Sequence, residues 1–257
     1  MMKNNPNESQ ELPFLSHLIE LRDRLLRAVI FVLLVFLALA YYANDIYALL
    51  AGPLMKYMPA NSSMIAIEVA SPFFTPFKLA LVVAIFISVP YLLYQFWAFV
   101  APGLYQHERR FILPLLVAST LLFFLGVAFA YFVVFPLMFK FLTAAAPAGV
   151  TVMTDISHYL DFVLALFLAF GICFEVPILT IVLVWAGLVT PRGLAEQRPY
   201  VIVGAFIIGM VLTPPDVISQ TLLAVPMWLL FEAGLLCSRL FAPKPTESDP
   251  NKQLTHS

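Results

Sequence analysis

The sequence predicts an all-α integral membrane protein with six transmembrane helices, both termini cytoplasmic, and short fifth and sixth spans. Three observations predict it. The first is composition: of 257 residues, 62% are hydrophobic and only 11% charged. Soluble domains average about 45–50% apolar and about 25% charged, so this chain cannot cover itself with a polar shell. The second is a series of six apolar runs. The third is the placement of the 14 basic residues, which fall mostly on one side of those runs. The formal net charge of −1 also argues against nucleic acid as a partner.

A membrane helix needs about 20 apolar residues to cross a core about 30 Å thick. The first run, Leu25 to Ala43, meets this and is interrupted only by Arg27, which can snorkel from one end. It is expected to be retained rather than cleaved, because its polar lead is long and no small-residue cleavage site follows. The second run spans Phe77 to Val100 and contains Pro90. The third, Phe111 to Phe135, is bracketed by Pro114 and Pro136. The fourth, Tyr159 to Gly187, contains Glu175 and Pro177. The fifth and sixth runs each hold 15 residues, between Arg198 and Pro214 and between Asp216 and Glu232. Each would reach only about 22 Å, so either the bilayer thins beside them or the sixth helix runs on toward Arg239.

Basic residues set the orientation. Lys3, Arg22, Arg24, Arg27, Arg109, Arg110, Arg192, Arg198, Arg239, Lys244 and Lys252 lie on one side; Lys56, Lys78 and Lys140 lie on the other. The rule puts the first group, and both termini, in the cytoplasm. Residues 1–12 then form a polar N-terminal tail, 13–241 the membrane domain, and 242–257 a disordered cytoplasmic tail. Segments 44–76 and 136–158 lie outside and are expected to form structured caps.

Few residues can carry chemistry. Glu175 is the sharpest, a carboxyl at bilayer depth where ionisable groups are functional hypotheses by default. Pro177 beside it frees the carbonyl of Cys173 and predicts a kink. Glu175 reads either as a contact for another membrane helix or a proton acceptor, or as a carboxyl bonded inside the bundle, for example to Gln95. The segment 13–27 is amphipathic, with Phe14, Leu15, Leu18, Leu21 and Leu25 on one face and His17, Glu20, Arg24 and Arg27 on the other. Glu20 and Arg24 form an i, i+4 pair in the favourable order. The loop 94–110 is aromatic, turns at Pro102-Gly103 and ends in Glu108-Arg109-Arg110. Asp216 follows a Pro-Pro pair and reads as a helix cap, with Gln220 one turn deeper.

No HExxH, GxSxG or phosphate-loop motif occurs. Cys173 and Cys237 have no CxxC partner, and the four histidines suggest no metal site. No cofactor is expected and no enzyme activity. A proton-coupled solute carrier built around Glu175 is the main alternative, but one deep carboxylate with few polar partners makes a poor path.

Several blocks resemble the TatC family: HLIELRDRLLR (17–27), ASPFFTPFKLA (70–80), YQFWAFVAPGLYQHERR (94–110), FLGVAFAYFVVFP (124–136), FGICFEVPIL (170–179) and RPYVIVGAFIIGMVLTPPDVISQTLLAVP (198–226). They occur in the family's order and cover about residues 13–241. The resemblance implies a receptor for signal peptides with paired arginines in a bacterial inner membrane. It implies export of folded proteins, driven by the proton-motive force, together with TatA, TatB and other copies of the same subunit. Glu20 and Glu108 match its cytoplasmic carboxylates, and Glu175 its intramembrane glutamate. Pro53 and Glu68 match its first external cap, and Asp216 and Gln220 the start of its last helix. Physics adds that Phe96, Trp97 and Phe99 fit either an apolar groove or an interfacial belt. Glu20 and Glu108 are expected to face the peptide while the neighbouring arginines face lipid.

Overall fold

The computed structural model describes residues 8–48, 64–104, 112–144, 154–212 and 217–241. Pro53, Glu108 and Asp216 lie outside them, as do both tails and the connector 213–216. Helices account for nearly all of the described chain. α1 runs from Glu8 to Ala40, with a further helical turn over 43–48. α2 is Ser71–Leu104. α3 is Ile112–Phe129; it passes through a π-helical turn, Ala130–Val134, into α4, Phe135–Ala144. α5 is Ile156–Cys173, α6 Val176–Trp185, α7 Pro191–Glu196, α8 Arg198–Leu212 and α9 Val217–Phe241.

Proline explains the irregular places. Pro136 was expected to end the third run, yet the helix carries on through it. The π-helical turn precedes it, and there the Phe135 N–H donates to the Ala130 carbonyl, five residues back. The wider turn accommodates the ring that a tight α-turn would exclude. α5 and α6 are one helix broken at residues 174–175, because Pro177 has no N–H for the Cys173 carbonyl. The kink forms where the sequence placed it. The turn expected at Pro102-Gly103 does not: α2 runs on to Leu104, since a proline in a last turn removes only one bond.

Among the described residues, four helical stretches are long and apolar enough to cross a membrane: Ser71–Val100, Leu113–Met138, Ile156–Trp185 and Gln220–Arg239. Arg198–Leu212 is apolar but shorter. The expected shortness is thus found in Arg198–Leu212, while the last helix runs on to Phe241, the alternative in which it extends toward Arg239. Its Glu232 is paired with Arg198: Nε to Oε1 is 2.6 Å and Nη2 to Oε2 is 2.8 Å. α1 carries Arg22, Asp23, Arg24 and Arg27 around its middle and apolar residues after them.

α1 packs on α2, α3 on α2 and α5, and α9 on both α6 and α8. Water drives little of this between membrane helices, so close packing through small residues must. A Cβ at Gly126 would sit 2.5 Å from the Phe170 carbonyl oxygen, and one at Gly171 would sit 2.6 Å from the Phe123 ring. One at Gly234 would strike Thr180 Oγ1 and lie 2.8 Å from Pro177 Cα. Gly171, two residues before the break between α5 and α6, is thus held to glycine by the aromatic ring of Phe123. The main core joins the π-helical turn and α4 to α5 through Val134, Phe135, Met138, Leu160, Val163 and Phe170.

One small non-helical feature ties the far end together. Met64–Ile65 and Thr154–Asp155 form a two-residue parallel ladder. Asp155 caps α5 by accepting from the His158 N–H at 3.3 Å, and also accepts from the Ile67 N–H at 3.2 Å. Its carboxyl is 6% exposed. These bonds, that to Ile67 foremost, outweigh burial and hold its pKa below the ordinary aspartate value.

Candidate functional site

The site is built from two helical stripes. On α2, Tyr91, Gln95 and Phe99 recur every four residues and so share one face. On antiparallel α1, His17, Glu20, Arg24 and Phe31 share the opposing face. The stripes meet in order. Phe31 and Tyr91 rings lie 4.3 Å apart. Gln95 Nε2 donates to Tyr91 Oη at 2.7 Å, and Arg24 Nη1 donates to Gln95 Oε1 at 3.4 Å. At the other end His17 stacks on Phe99, centroids 4.3 Å apart and planes 17° off parallel.

Glu20 sits in the middle of this row. Its Oε1 accepts from Arg24 Nε at 2.9 Å and from Nη2 at 2.6 Å. Its Oε2 is 4.0 Å from His17 Nδ1, beyond hydrogen-bond reach. The Glu20 side chain stays 38% exposed, whereas Arg24 is 21% exposed. The arginine expected to face lipid is therefore drawn into the protein. The amphipathic segment shows its leucines outward instead, with Leu25 61% exposed. A pocket of about 300 Å³ opens beside the pair, lined by Ile19, Glu20, Asp23, Arg24 and Arg27. Two acids and two bases line it, so it holds no strong field of either sign. Arg22 pairs with Asp23 at 2.8 Å.

Glu20 and Phe99 are thus brought together, bridged by His17. Gln95 joins them and not Glu175. Two residues further along α2, Trp97 points the opposite way, because two steps turn a helix by about 200°. Trp97 is 1% exposed and packs with Ile178 and Val182. Its Nε1 donates to Ser119 Oγ at 3.0 Å. It is a core residue rather than a groove wall or an interfacial belt, while Phe96 is 44% exposed.

Glu175 sits in the break between α5 and α6, 8% exposed. Its carboxyl approaches the Ser119 hydroxyl, but among the described residues neither oxygen completes a well-formed hydrogen bond. A buried carboxyl without partners is costly, so it is poised to accept one. Glu68 is exposed at the bend before α2, where its carbonyl accepts from the Ser71 N–H at 3.1 Å. Gln220 faces Gly209 across the α8–α9 pair, where a Cβ at Gly209 would lie 3.4 Å from the Gln220 carbonyl oxygen.

Two ion pairs escaped the sequence reading. Lys78 Nζ lies 2.5 Å from Asp161 Oδ1 and joins α2 to α5, and Arg198 holds Glu232. The available signal was a single charge near the end of each of two apolar runs, at matching depth. Asp155 was missed as well, although an aspartate directly before a helical run is a capping pattern. No cluster of metal-ligating side chains occurs among the described residues.

Comparison with known proteins agrees with this architecture. The family described as Sec-independent protein translocase protein (TatC) matches residues 16–226. The Haemophilus influenzae Sec-independent protein translocase protein TatC is 64% identical over 245 residues, 95% of each chain. The Escherichia coli K12 protein of the same name is 59% identical over 232 residues, 90% of each chain. A crystal structure of the twin-arginine translocase receptor TatC superposes with a TM-score of 0.80 at 42% identity, covering 88% of this chain and 99% of that one. The chain belongs to the TatC family of Sec-independent protein translocase proteins.

Proposed function

We propose that this subunit of the Sec-independent translocase is its receptor for twin-arginine signal peptides, with Glu20 as the central acceptor. One observation carries the reading: Glu20 already holds a guanidinium, through Arg24 Nε at 2.9 Å and Nη2 at 2.6 Å. A carboxylate set up for that fork suits arginine and not lysine. Glu108 supplies the second carboxylate on this reading, and Phe99 the apolar contact for the peptide's hydrophobic stretch. An exposed ion pair is worth only about 0–1 kcal/mol, so the apolar contact supplies much of the affinity.

The chain crosses a bacterial inner membrane six times, with α1 as the first span, α8 as the short fifth and both termini cytoplasmic. The basic-residue asymmetry supports that orientation. TatA and TatB helices dock along the later spans, with Asp216 and Gln220 at the entrance and Glu175 offering its carboxyl. A shared hydrogen bond in lipid is worth about 0.6–2 kcal/mol. Pro53 and Glu68 shape the external cap, and other copies of the chain complete the assembly. The 15-residue α8 favours a locally thin bilayer where cargo passes. The chain serves as receptor and scaffold, and the proton-motive force drives export.

Photocrosslinking of a twin-arginine peptide to membranes containing the chain tests this. Crosslinks should require the peptide arginines and fall with Glu20→Ala, Glu108→Ala and most with both. Strong crosslinks indifferent to all of these changes, and to a Lys-Lys control, would reject the two-carboxylate site.

A further inference from the structure

The Glu20 carboxyl is engaged by the chain's own arginine before any peptide arrives, and the geometry shows how the engagement is released. Both Arg24 donors go to one oxygen, Oε1. Among the described residues, the ion-pair partner nearest the other oxygen, Oε2, is His17 Nδ1, at 4.0 Å. Oε2 is therefore the landing point for a further guanidinium. A second cation there would sit within a few ångströms of Arg24, and like charges so close repel strongly wherever water is partly excluded. A neutral acceptor stands ready on the side away from the pocket: Arg24 Nη1 already reaches Gln95 Oε1 at 3.4 Å. Gln95 is 7% exposed and fixed by its bond to Tyr91 Oη at 2.7 Å, so it can hold an arginine without moving itself.

We propose that Arg24 is a specificity-determining residue, the resident occupant of the arginine site: its guanidinium holds the Glu20 carboxyl that an incoming arginine must take over, and Gln95 receives the displaced Arg24. The proposal rests on the receptor reading given above. Exchange replaces one guanidinium with another, so the count of charge pairs is unchanged and binding stays weak and reversible. A lysine fails at this step. Its ammonium is a compact, strongly hydrated point charge that cannot reproduce the two-donor fork, so it does not dislodge Arg24. The resident arginine thereby sets a threshold that only another arginine passes. The pocket's balanced lining of Glu20, Asp23, Arg24 and Arg27 agrees with this, since it offers no general attraction to cations.

Equilibrium binding of a fluorescent twin-arginine peptide to membranes containing the full chain tests the exchange. Arg24→Gln should tighten binding by about two- to five-fold, the range an exposed pair can contribute, and should narrow the gap between Arg-Arg and Lys-Lys peptides. Arg24→Lys should do the same more weakly, and it retains the charge should the glutamine variant fold poorly. Gln95→Leu should weaken binding, because Arg24 then has nowhere to go. Unchanged or weaker binding with both Arg24 variants would overturn the proposal and leave Arg24 as a residue that merely positions Glu20. A Glu20→Gln control separates the two ideas. If it leaves arginine-dependent binding intact, the receptor reading itself fails; if it abolishes that binding while the Arg24 variants do not tighten it, only the exchange is wrong.

Discussion

Arg198 and Glu232 lie 34 residues apart and are joined by two parallel hydrogen bonds, Nε to Oε1 at 2.6 Å and Nη2 to Oε2 at 2.8 Å. The pair ties the start of α8 to the later part of α9. At the other end of the same two helices, Gly209 packs against the Gln220 backbone. A clamp at one end and a close approach at the other make the short hairpin a stiff unit.

Breaking the clamp should therefore loosen the hairpin. Glu232→Gln or Arg198→Gln should lower the thermal midpoint by a few degrees, and each should increase hydrogen exchange in the last turns of α9. The exchanged pair, Arg198→Glu with Glu232→Arg, should recover part of the loss. Thermal unfolding in detergent, read with hydrogen exchange, checks both.

Glycine positions should sort by what a methyl would meet. Gly126→Ala forces a carbon to 2.5 Å from the Phe170 carbonyl oxygen and should cost about 1–3 kcal/mol. Gly204→Ala meets nothing within 4 Å and should be neutral or slightly stabilising, since alanine is the better helix former. Equal effects of the two substitutions on stability would contradict the packing described for α3 and α5.

The bond between Trp97 and Ser119 makes a further prediction. Ser119→Ala leaves a buried indole N–H unpaired and should cost about 1–3 kcal/mol. Adding Trp97→Phe removes the orphaned donor, so the double variant should lose less than the sum of the two singles. Unfolding measurements on all three variants complete the cycle.

Asp155 should make the short parallel ladder sensitive to acid. Its folded pKa is below the ordinary value near 3.8, chiefly because the Ile67 N–H bonds the ionised form. A carboxylate with a depressed folded pKa contributes its stability above the unfolded value and loses it as pH falls through the folded value. Wild type should exceed Asp155→Asn in stability at neutral pH. The advantage should shrink only below about pH 4 and vanish once the folded group is protonated. Amide exchange at Ile67 across that range reads the change directly.

Much of this was legible along the chain. Apolar run lengths marked the four long apolar helical stretches, Pro177 marked the break between α5 and α6, and the spacing of Glu20 and Arg24 predicted their pair. Most of the failures have one cause: what a side chain meets depends on how its element is set against another far along the chain. Trp97 and Phe99 are two residues apart, so they face the α3–α6 core and α1 respectively, although sequence proximity had placed both in one groove or belt. Lys78 with Asp161, Arg198 with Glu232, and Ile67 with Asp155 are long-range partners that no local pattern joins. Pro136 misled because a π-helical turn can accommodate a proline that an ordinary α-turn rejects.

The central claim is that Glu20 reads arginine. A thermodynamic cycle tests it most directly: binding of Arg-Arg and Lys-Lys signal peptides to membranes bearing wild type or Glu20→Gln. The account predicts that Glu20→Gln weakens the Arg-Arg peptide several-fold and barely changes the Lys-Lys peptide, a coupling near the upper end of about 0–1 kcal/mol or above it. Equal weakening of both peptides, or of neither, would contradict it.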